Sequence, residues 1–225
     1  MSNIAAALRA SLPVMFGYIP LGMAFGILFQ DLGYPWYFAA VMAVFVFAGA
    51  AQFMAIGLLA AHAGLLEVAV STLALNSRHI FFGLSLISRY RCRGVKKLYL
   101  IFGLTDETYS LITSTPAPSV GDVSTYYLAI TALNQGYWVA GCILGALLGR
   151  TLELDTRGME FALTALFLVL LLEQWNKVRD PFPFLLAAIC GVAALVLFKA
   201  QMLLVSITVT LALLMLRRQL GERRT

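Results

Sequence analysis

Residues 36–61 read WYFAAVMAVFVFAGAAQFMAIGLLAA, a stretch in which no side chain is charged and Gln52 alone carries an amide. A helix needs about 20 predominantly apolar residues to cross the hydrocarbon core of a bilayer. The stretch is longer than that, so it predicts a transmembrane segment.

The whole chain shares the composition of this stretch. Of its 225 residues, 61% are hydrophobic and 12% are charged, and the mean hydropathy is +0.87. Ordinary globular domains carry about 25% charged residues, and a soluble protein needs a polar exterior to stay dispersed. The composition therefore excludes a soluble globular protein and predicts an all-α, polytopic integral membrane helix bundle.

Apolar segments follow one another along the chain with short polar connections. They predict a single transmembrane domain over residues 1–225, with about seven or eight membrane segments, some of them broken or re-entrant. The candidate segments are Ser11–Gln30, Trp36–Ala61, Leu65–Ile87, Lys97–Thr113, Val123–Gly149, Gly158–Trp175, Phe182–Phe198 and Met202–Leu216.

The positive charges lie in clusters between segments, which is typical of cytoplasmic loops and argues against nucleic acid as a partner, although the net charge is +5. Five segments separate the two main clusters, and an odd number of full crossings would place them on opposite sides. Either Lys97–Thr113 does not span simply, or Phe182–Leu216 is one re-entrant unit, or the tail is an exception to the positive-inside rule. The clusters are Arg89, Arg91, Arg93, Lys96 and Lys97, then Arg217, Arg218, Arg223 and Arg224.

The first two segments carry residues that interrupt helices. These are Gly17, Pro20, Gly22 and Gly26 in the first segment and the run 48–51 in the second. Proline removes a helix hydrogen bond, and glycine weakens a helix while permitting close backbone approach. Such residues predict either close helix packing or a broken helix that faces substrate, and the sequence leaves both alternatives open.

The order of the polar motifs is consistent with an inverted repeat. Residues 11–90 and 97–175 would form the two halves, and residues 182–216 would form a C-terminal helical pair. Three-segment units joined head to tail are inverted relative to each other, as in many transporters. The halves share few identical residues, so this prediction depends on the motif order alone.

One set of polar groups at membrane depth comprises Asn76, Arg78 and His79. Arg78 has apolar neighbours on both sides for many positions. Its guanidinium can snorkel and bond backbone carbonyls, or it can receive a carboxylate of the substrate or of the protein. His79 is a candidate proton relay, with simple hydrogen bonding as the structural alternative.

A second set comprises Thr105, Asp106 and Glu107. Adjacent carboxylates on a helix point about 100° apart, so the two acids meet different surroundings. One can pair with Arg78 while the other binds and releases protons. Alternatively, Thr105 or Asp106 caps the second half of a broken segment, and both roles are compatible.

A third, neutral set comprises Gln52, Asn134 and Gln135, with Tyr18 and Tyr137 as further candidates. Amides inside membrane helices can bind the ammonium or carboxylate of a zwitterion, or they can bridge helices. The sequence holds no phosphate-binding loop, zinc-ligand spacing or nucleophile motif. We therefore expect no metal, no cofactor and no enzymatic activity.

Four motifs follow one another along the first half of the chain in a characteristic order and spacing. They are PVMFGYIPLGMAFG (13–26), AGAAQF (48–53), NSRH (76–79) and FGLTDE (102–107). In this series the chain resembles AzlC-type proteins, also called the YgaZ type, which are large subunits of bacterial branched-chain amino-acid exporters. Beyond Thr113 the resemblance depends on hydropathy and on residues 134–138. Some relatives have serine where this chain has Ala51, and aspartate where it has Asn76, so one hydroxyl and one counter-charge for Arg78 are missing here.

The resemblance implies a secondary transporter in the bacterial cytoplasmic (inner) membrane that exports valine, leucine, isoleucine and methionine together with a small AzlD-type membrane subunit. A higher oligomer is left open, and the alternative is a channel or transporter for another small solute on the same scaffold. The substrate-binding or coupling residues that we predict are Tyr18, Pro20, Gln52, Asn76, Arg78, His79, Asp106, Glu107, Asn134 and Gln135.

The chemistry of such a substrate suggests roles for these residues. A branched-chain amino acid needs one site for its carboxylate, one for its ammonium and an apolar pocket. Helix N-termini at breaks near Pro20 or Gly49, together with Arg78, can hold the carboxylate. We expect Asp106 or Glu107 to hold the ammonium or to carry a coupling proton.

Overall fold

The computed structural model describes residues 3–114, 122–151, 180–198 and 202–222, together with 161, 168, 171–172 and 175. Every element in this part of the chain is a helix, as predicted, and the predicted segment Gly158–Trp175 lies almost entirely outside it. The helices are α1 (Asn3–Asp31), α2 (Trp36–Phe45), α3 (Gly49–Ala60), α4 (Leu65–Asn76), α5 (Arg78–Leu86), α6 (Val95–Phe102), α7 (Asp106–Ser114), α8 (Val123–Thr151), α9 (Phe182–Leu197) and α10 (Met202–Glu222).

The helices differ in their ability to cross a bilayer. Among the described residues, α1 alone is long and apolar enough to do so by length and composition. Helices α2, α3, α4 and α9, and the part Val205–Arg217 of α10, are apolar but shorter. Several predicted segments therefore consist of two shorter helices in series rather than one long helix.

Helix α1 is continuous, and it packs along α8. A Cβ added to Gly22 would lie 3.0 Å from the backbone nitrogen of Cys142, and one added to Gly141 would lie 2.6 Å from the carbonyl oxygen of Ile19. The two backbones thus approach as closely as glycine permits. For the first segment the packing alternative is correct and the broken-helix alternative is wrong.

The correction extends to Pro20. It lies in the interior of α1, where its side chain is exposed, so no helix N-terminus is available there to bind a carboxylate. Proline in a membrane helix is tolerated when neighbouring helices hold the segment, and the contact with α8 does this along α1.

The second segment is broken, as its small residues allowed. Helix α2 ends at Phe45, and α3 begins at Gly49. Between them Phe47 has φ +41°, in the left-handed region that a phenylalanine rarely adopts. The Phe47 ring is buried, with its centroid 6.4 Å from that of Phe102, and this packing holds the strained turn.

The fourth segment is broken as well. Helix α6 ends at Phe102 and α7 begins at Asp106. The Thr105 hydroxyl accepts a hydrogen bond from the backbone N–H of Thr108 at 3.2 Å, and the Thr105 carbonyl accepts one from the N–H of Tyr109 at 2.8 Å. Thr105 is therefore the N-cap of α7, which confirms the predicted capping role.

The chain forms two compact units. The first comprises Met1–Gly57 and Asn76–Leu163, and its core includes Leu100, Ile112 and Tyr126, all of them buried.

The second unit comprises Leu58–Leu75 and Thr164–Thr225. In it α9 packs against α10, and the guanidinium of Arg217 lies 4.0 Å from the ring centroid of Phe182 and 3.0 Å from a carboxylate oxygen of Asp180. The single transmembrane domain and the repeat of residues 11–90 and 97–175 stay predictions.

Candidate functional site

One face of α8 connects the two helices that begin after the breaks. Asn134 and Trp138 are both buried and lie one helical turn apart, about 6 Å along the axis. The Asn134 amide nitrogen donates to the hydroxyl of Thr108 in α7 at 3.0 Å, and the Trp138 indole N–H donates to the side-chain oxygen of Gln52 in α3 at 2.8 Å. A single turn of α8 thus holds the first turns of α3 and α7 close together.

Tyr18 of α1 joins the same group of side chains. Its hydroxyl donates to Oε2 of Glu107 at 2.6 Å and lies 2.8 Å from the hydroxyl oxygen of Thr105. Its ring meets that of Trp138 edge to face, with the centroids 5.4 Å apart. Tyr18 therefore lies between the carboxylate at the start of α7 and the aromatic ring that contacts α3.

These contacts form a continuous hydrogen-bond network. It runs from Glu107 through Tyr18 and Thr105 to Thr108, whose hydroxyl lies 3.0 Å from that of Thr105, and ends at Asn134. Tyr18, Thr105, Thr108 and Asn134 are buried, whereas Glu107 is exposed. The network thus connects an accessible carboxylate to a buried amide.

Two buried polar atoms beside this network have no hydrogen-bond partner among the described residues. They are the side-chain nitrogen of Gln52 and the side-chain oxygen of Asn134, and both residues are 0% exposed. Leaving such an atom unpaired costs about 1–3 kcal/mol. One atom is a donor and the other is an acceptor.

The two helix starts differ in charge. The first turn of α3 holds Gly49 and two alanines and no acidic residue, so the positive partial charge of its free backbone N–H groups is not neutralised. The first turn of α7 carries Asp106 and Glu107. Gly49 has a steric reason to be glycine, because a Cβ there would lie 3.1 Å from the ring of Trp138. The site thus has one electropositive and one electronegative end.

Gln135 bridges helices instead of joining the network. Its side-chain oxygen accepts from the hydroxyl of Tyr99 in α6 at 2.6 Å, and its side-chain nitrogen donates to the carbonyl of Val44 in α2 at 3.0 Å. The Val44 carbonyl is in the last turn of α2, where the helix itself supplies no partner. Gln135 therefore stabilises the chain immediately before the second-segment break.

Of the remaining predicted residues, Asn76 and His79 lie outside this network. Nδ1 of His79 lies 3.1 Å from the backbone carbonyl of Asn76, and its ring packs on Phe82, which stacks on Tyr109 of α7 with centroids 4.5 Å apart. Asp106 is half-buried at the start of α7. The side chain of Arg78 is outside the described part of the structure, so its predicted pairing with a carboxylate stays a prediction.

Sequence reasoning missed Thr108 and Trp138. Both could have been identified from their spacing, because Thr108 lies three residues after Thr105 and Trp138 lies four residues after Asn134. Residues at these spacings share a helix face. The described residues contain no group of three or more His, Cys, Asp or Glu side chains that could hold a metal ion.

Comparison with known proteins identifies the family. The family model for the AzlC protein matches residues 13–152. The chain is 35% identical over 208 residues to the branched-chain amino acid transport protein AzlC of Bacillus subtilis, covering 91% of this chain and 82% of the relative. It is 31% identical over 210 residues to the inner membrane protein YgaZ of Escherichia coli, covering 90% and 82%.

A relative described only as a membrane protein, from Helicobacter pylori, is 36% identical over 213 residues, which is 93% of each chain. No solved structure matches the chain significantly. The family model covers more than half of the chain, and the relatives match it almost from end to end. The chain therefore belongs to the AzlC family and is a multi-pass protein of the cytoplasmic (inner) membrane.

Proposed function

We propose that the protein is the large subunit of a secondary transporter that exports the branched-chain amino acids valine, leucine and isoleucine, together with methionine, from the cytoplasm in exchange for protons. The name of the Bacillus subtilis relative, a branched-chain amino acid transport protein, supports the substrate class. The observation that carries the proposal is the pair of helix starts of opposite charge, held together by one turn of α8.

A zwitterionic substrate matches this arrangement. Its carboxylate would bind the free N–H groups at the start of α3 and the unpaired side-chain nitrogen of Gln52. Its ammonium would bind Glu107 and the unpaired side-chain oxygen of Asn134. The rings of Tyr18 and Trp138 offer apolar surface beside these groups.

Competition for one carboxylate would couple transport to protons. An ionised Glu107 can hold the ammonium, whereas a protonated Glu107 cannot form that ion pair. Proton and substrate would therefore occupy the carboxylate alternately, which is the requirement for exchange of one for the other. Tyr18, whose hydroxyl donates to the carboxylate at 2.6 Å, would hold Glu107 in position.

We also propose that a small AzlD-type membrane subunit is required. Helices such as α2, α3 and α9 are apolar but too short to span a bilayer as single helices. A second membrane subunit would supply protein surface around such half-length elements, where their free backbone groups need partners.

The decisive experiment is valine transport in proteoliposomes that contain the protein and the partner subunit, with and without an imposed proton gradient. The wild type should move valine against its gradient when the proton gradient is present. Glu107→Gln should abolish this proton-driven transport, and Glu67→Gln, in the first turn of α4, is the matched control that should retain it.

A second variant tests the hydroxyl of Tyr18. Tyr18→Phe removes a hydrogen bond to a carboxylate, which contributes about 1.5–3 kcal/mol, so transport should fall about 10- to 150-fold. Tyr137→Phe is the matched control, because the hydroxyl of Tyr137 contacts Ser11 at 3.3 Å and lies outside the network.

Two results would count against this function. Normal proton-driven transport by Glu107→Gln would show that the coupling site is elsewhere. Absence of valine transport by the wild type, combined with passage of another small solute, would favour the alternative of a different transporter or channel on the same scaffold.

A further inference from the structure

A cleft of about 340 Å³ lies between α5 and α6, and none of the side chains in the hydrogen-bond network lines it. Its volume is within the range of small-molecule sites, about 300–1,000 Å³. One wall runs from His79 of α5 to Ile87, the residue after the helix, and is about 12 Å long. The opposite wall comes from Lys97 and Ile101 of α6.

Most of the cleft is apolar and open at the side. Ile80 and Leu84 of α5 are 61% and 62% exposed, Ile87 immediately after α5 is 60% exposed, and Ile101 of α6 is 55% exposed. In a membrane protein such residues face lipid acyl chains. A long hydrocarbon group can therefore enter the cleft laterally and lie along α5.

One end of the cleft is polar. Tyr90 lines the cleft and is only 5% exposed. Its hydroxyl is buried and has no hydrogen-bond partner among the described residues. Lys97 lines the same end, and exposed Arg91, Arg93 and Lys96 lie in or beside the loop that precedes it. An oxygen-rich anion at this end would satisfy the hydroxyl and attract the cations.

We propose that this cleft binds one anionic phospholipid, with its phosphate at Tyr90 and Lys97 and an acyl chain along Ile80, Leu84 and Ile87. Basic residues at the end of an apolar groove between membrane helices are typical of sites for anionic head groups. An amino-acid substrate fits less well, because no carboxylate among the described lining residues could receive its ammonium. The site is independent of the transport function proposed above.

The test is native mass spectrometry of the detergent-solubilised full-length protein, with added phosphatidylglycerol or phosphatidylcholine of identical acyl chains. One phosphatidylglycerol should be retained in preference to phosphatidylcholine. Lys97→Gln should lower its retention about fivefold, the equivalent of about 1 kcal/mol for one cation near a head group. Arg150→Gln removes one positive charge from the last turn of α8, at a residue that does not line the cleft, and is the control.

Two further variants test the other parts of the site. Tyr90→Phe should lower retention of phosphatidylglycerol by removing only the unpaired hydroxyl. Gly83→Leu should exclude the acyl chain, because a Cβ on this lining residue meets no heavy atom within 4 Å and the added side chain is free to fill the cleft. Gly57→Leu, at a position that is equally open but outside the cleft, is the control.

Several outcomes would overturn the assignment. Equal retention of the two lipids would exclude an anionic site, and displacement by oleate as effective as by phosphatidylglycerol would exclude phosphate recognition. In Leu84→Cys, protection of the new thiol from a lipid-soluble maleimide by the co-expressed partner subunit, and no protection by added phosphatidylglycerol, would assign the cleft to a protein. Unchanged retention in Lys97→Gln and Tyr90→Phe would reject the site even if Gly83→Leu failed to fold.

Discussion

The contact between α1 and α8 allows a quantitative test of how the site is positioned. In Gly141→Ala the new Cβ would lie 2.6 Å from the carbonyl oxygen of Ile19 and 3.1 Å from that of Tyr18, whereas ordinary contact begins at 3.4 Å. Both neighbours are backbone atoms, which cannot rotate away. The helices must therefore separate by about 1 Å, and the backbone that carries the Tyr18 hydroxyl must move with α1.

The expected cost follows from two opposing terms. Overpacking of a close contact costs about 1–3 kcal/mol, and replacing glycine by alanine within a helix contributes up to about 1 kcal/mol of stability. Gly136→Ala, also in α8, should gain the helix stabilisation without the overpacking cost, because its Cβ would meet no heavy atom within 4 Å. The two variants should thus differ by about 1–3 kcal/mol, or about 2–12 °C in Tm for a chain of this length.

Both variants are compared by thermal unfolding of the detergent-solubilised protein, followed by proton-driven valine transport. Gly141→Ala should have the lower Tm and reduced transport, because separation of the helices displaces Tyr18 from Glu107. If Gly141→Ala is as stable as Gly136→Ala and equally active, the close backbone approach does not exist in the protein.

Three other predictions concern single side chains. Thr105→Val should lower the free energy of unfolding by about 0.5–2 kcal/mol through loss of the α7 N-cap, whereas Thr105→Ser should retain most of it, as thermal unfolding in detergent would show. The hydroxyl of Thr125, together with backbone N–H groups, holds the pKa of Asp122 below its ordinary value of 3.8. The stabilisation from Asp122 is therefore present above about pH 4 and lost as the pH falls further, so Asp122→Asn should show a smaller drop in Tm between pH 6 and pH 3. Cys142, which is 0% exposed, should resist maleimide labelling until the protein unfolds, whereas half-buried Cys92 should react in the native state.

Local sequence offered two of the breaks as alternatives. The run 48–51 combines glycine with alanines, and the chain changes helix immediately before it, at the strained Phe47. Thr105 is followed by two acids, a pattern that favours a helix start, and α7 begins at the next residue. These features depend on neighbouring residues, so they are readable without the fold.

The continuity of α1 could not be predicted in the same way. Gly22 and Gly26 are compatible with a break or with close packing, and the choice depends on Gly141 and Gly145 in another helix. Proline at position 20 points to a break by itself, yet the helix continues because α8 packs along it. Local propensity was overridden here by a tertiary contact.

The contents of the candidate site were only partly predictable. Tyr18, Gln52, Glu107 and Asn134 were identified because they are polar groups in apolar segments, and the structure brings them together. Their connection through Trp138 depends on side-chain geometry between distant helices. The same rule also selected Gln135, which bridges helices, since polarity alone does not distinguish a bridge from a binding group.

The strengths of these contacts indicate which parts can move during transport. The glycine contact joins α1 to α8 along their backbones, so these two helices are expected to move as one body. By contrast, the two polar links from α8 to the starts of α3 and α7 are single neutral hydrogen bonds, made by Trp138 and Asn134. Each such bond contributes only about 0.5–1.5 kcal/mol, which is comparable to the few kcal/mol that separate two conformations of a protein. A substrate that bonds the unpaired atoms of Gln52 and Asn134 would therefore act beside these two weak contacts. We expect α3 to move against a fixed α1–α8 pair, because α7 is held to α1 by the additional hydrogen bond from Tyr18 to Glu107.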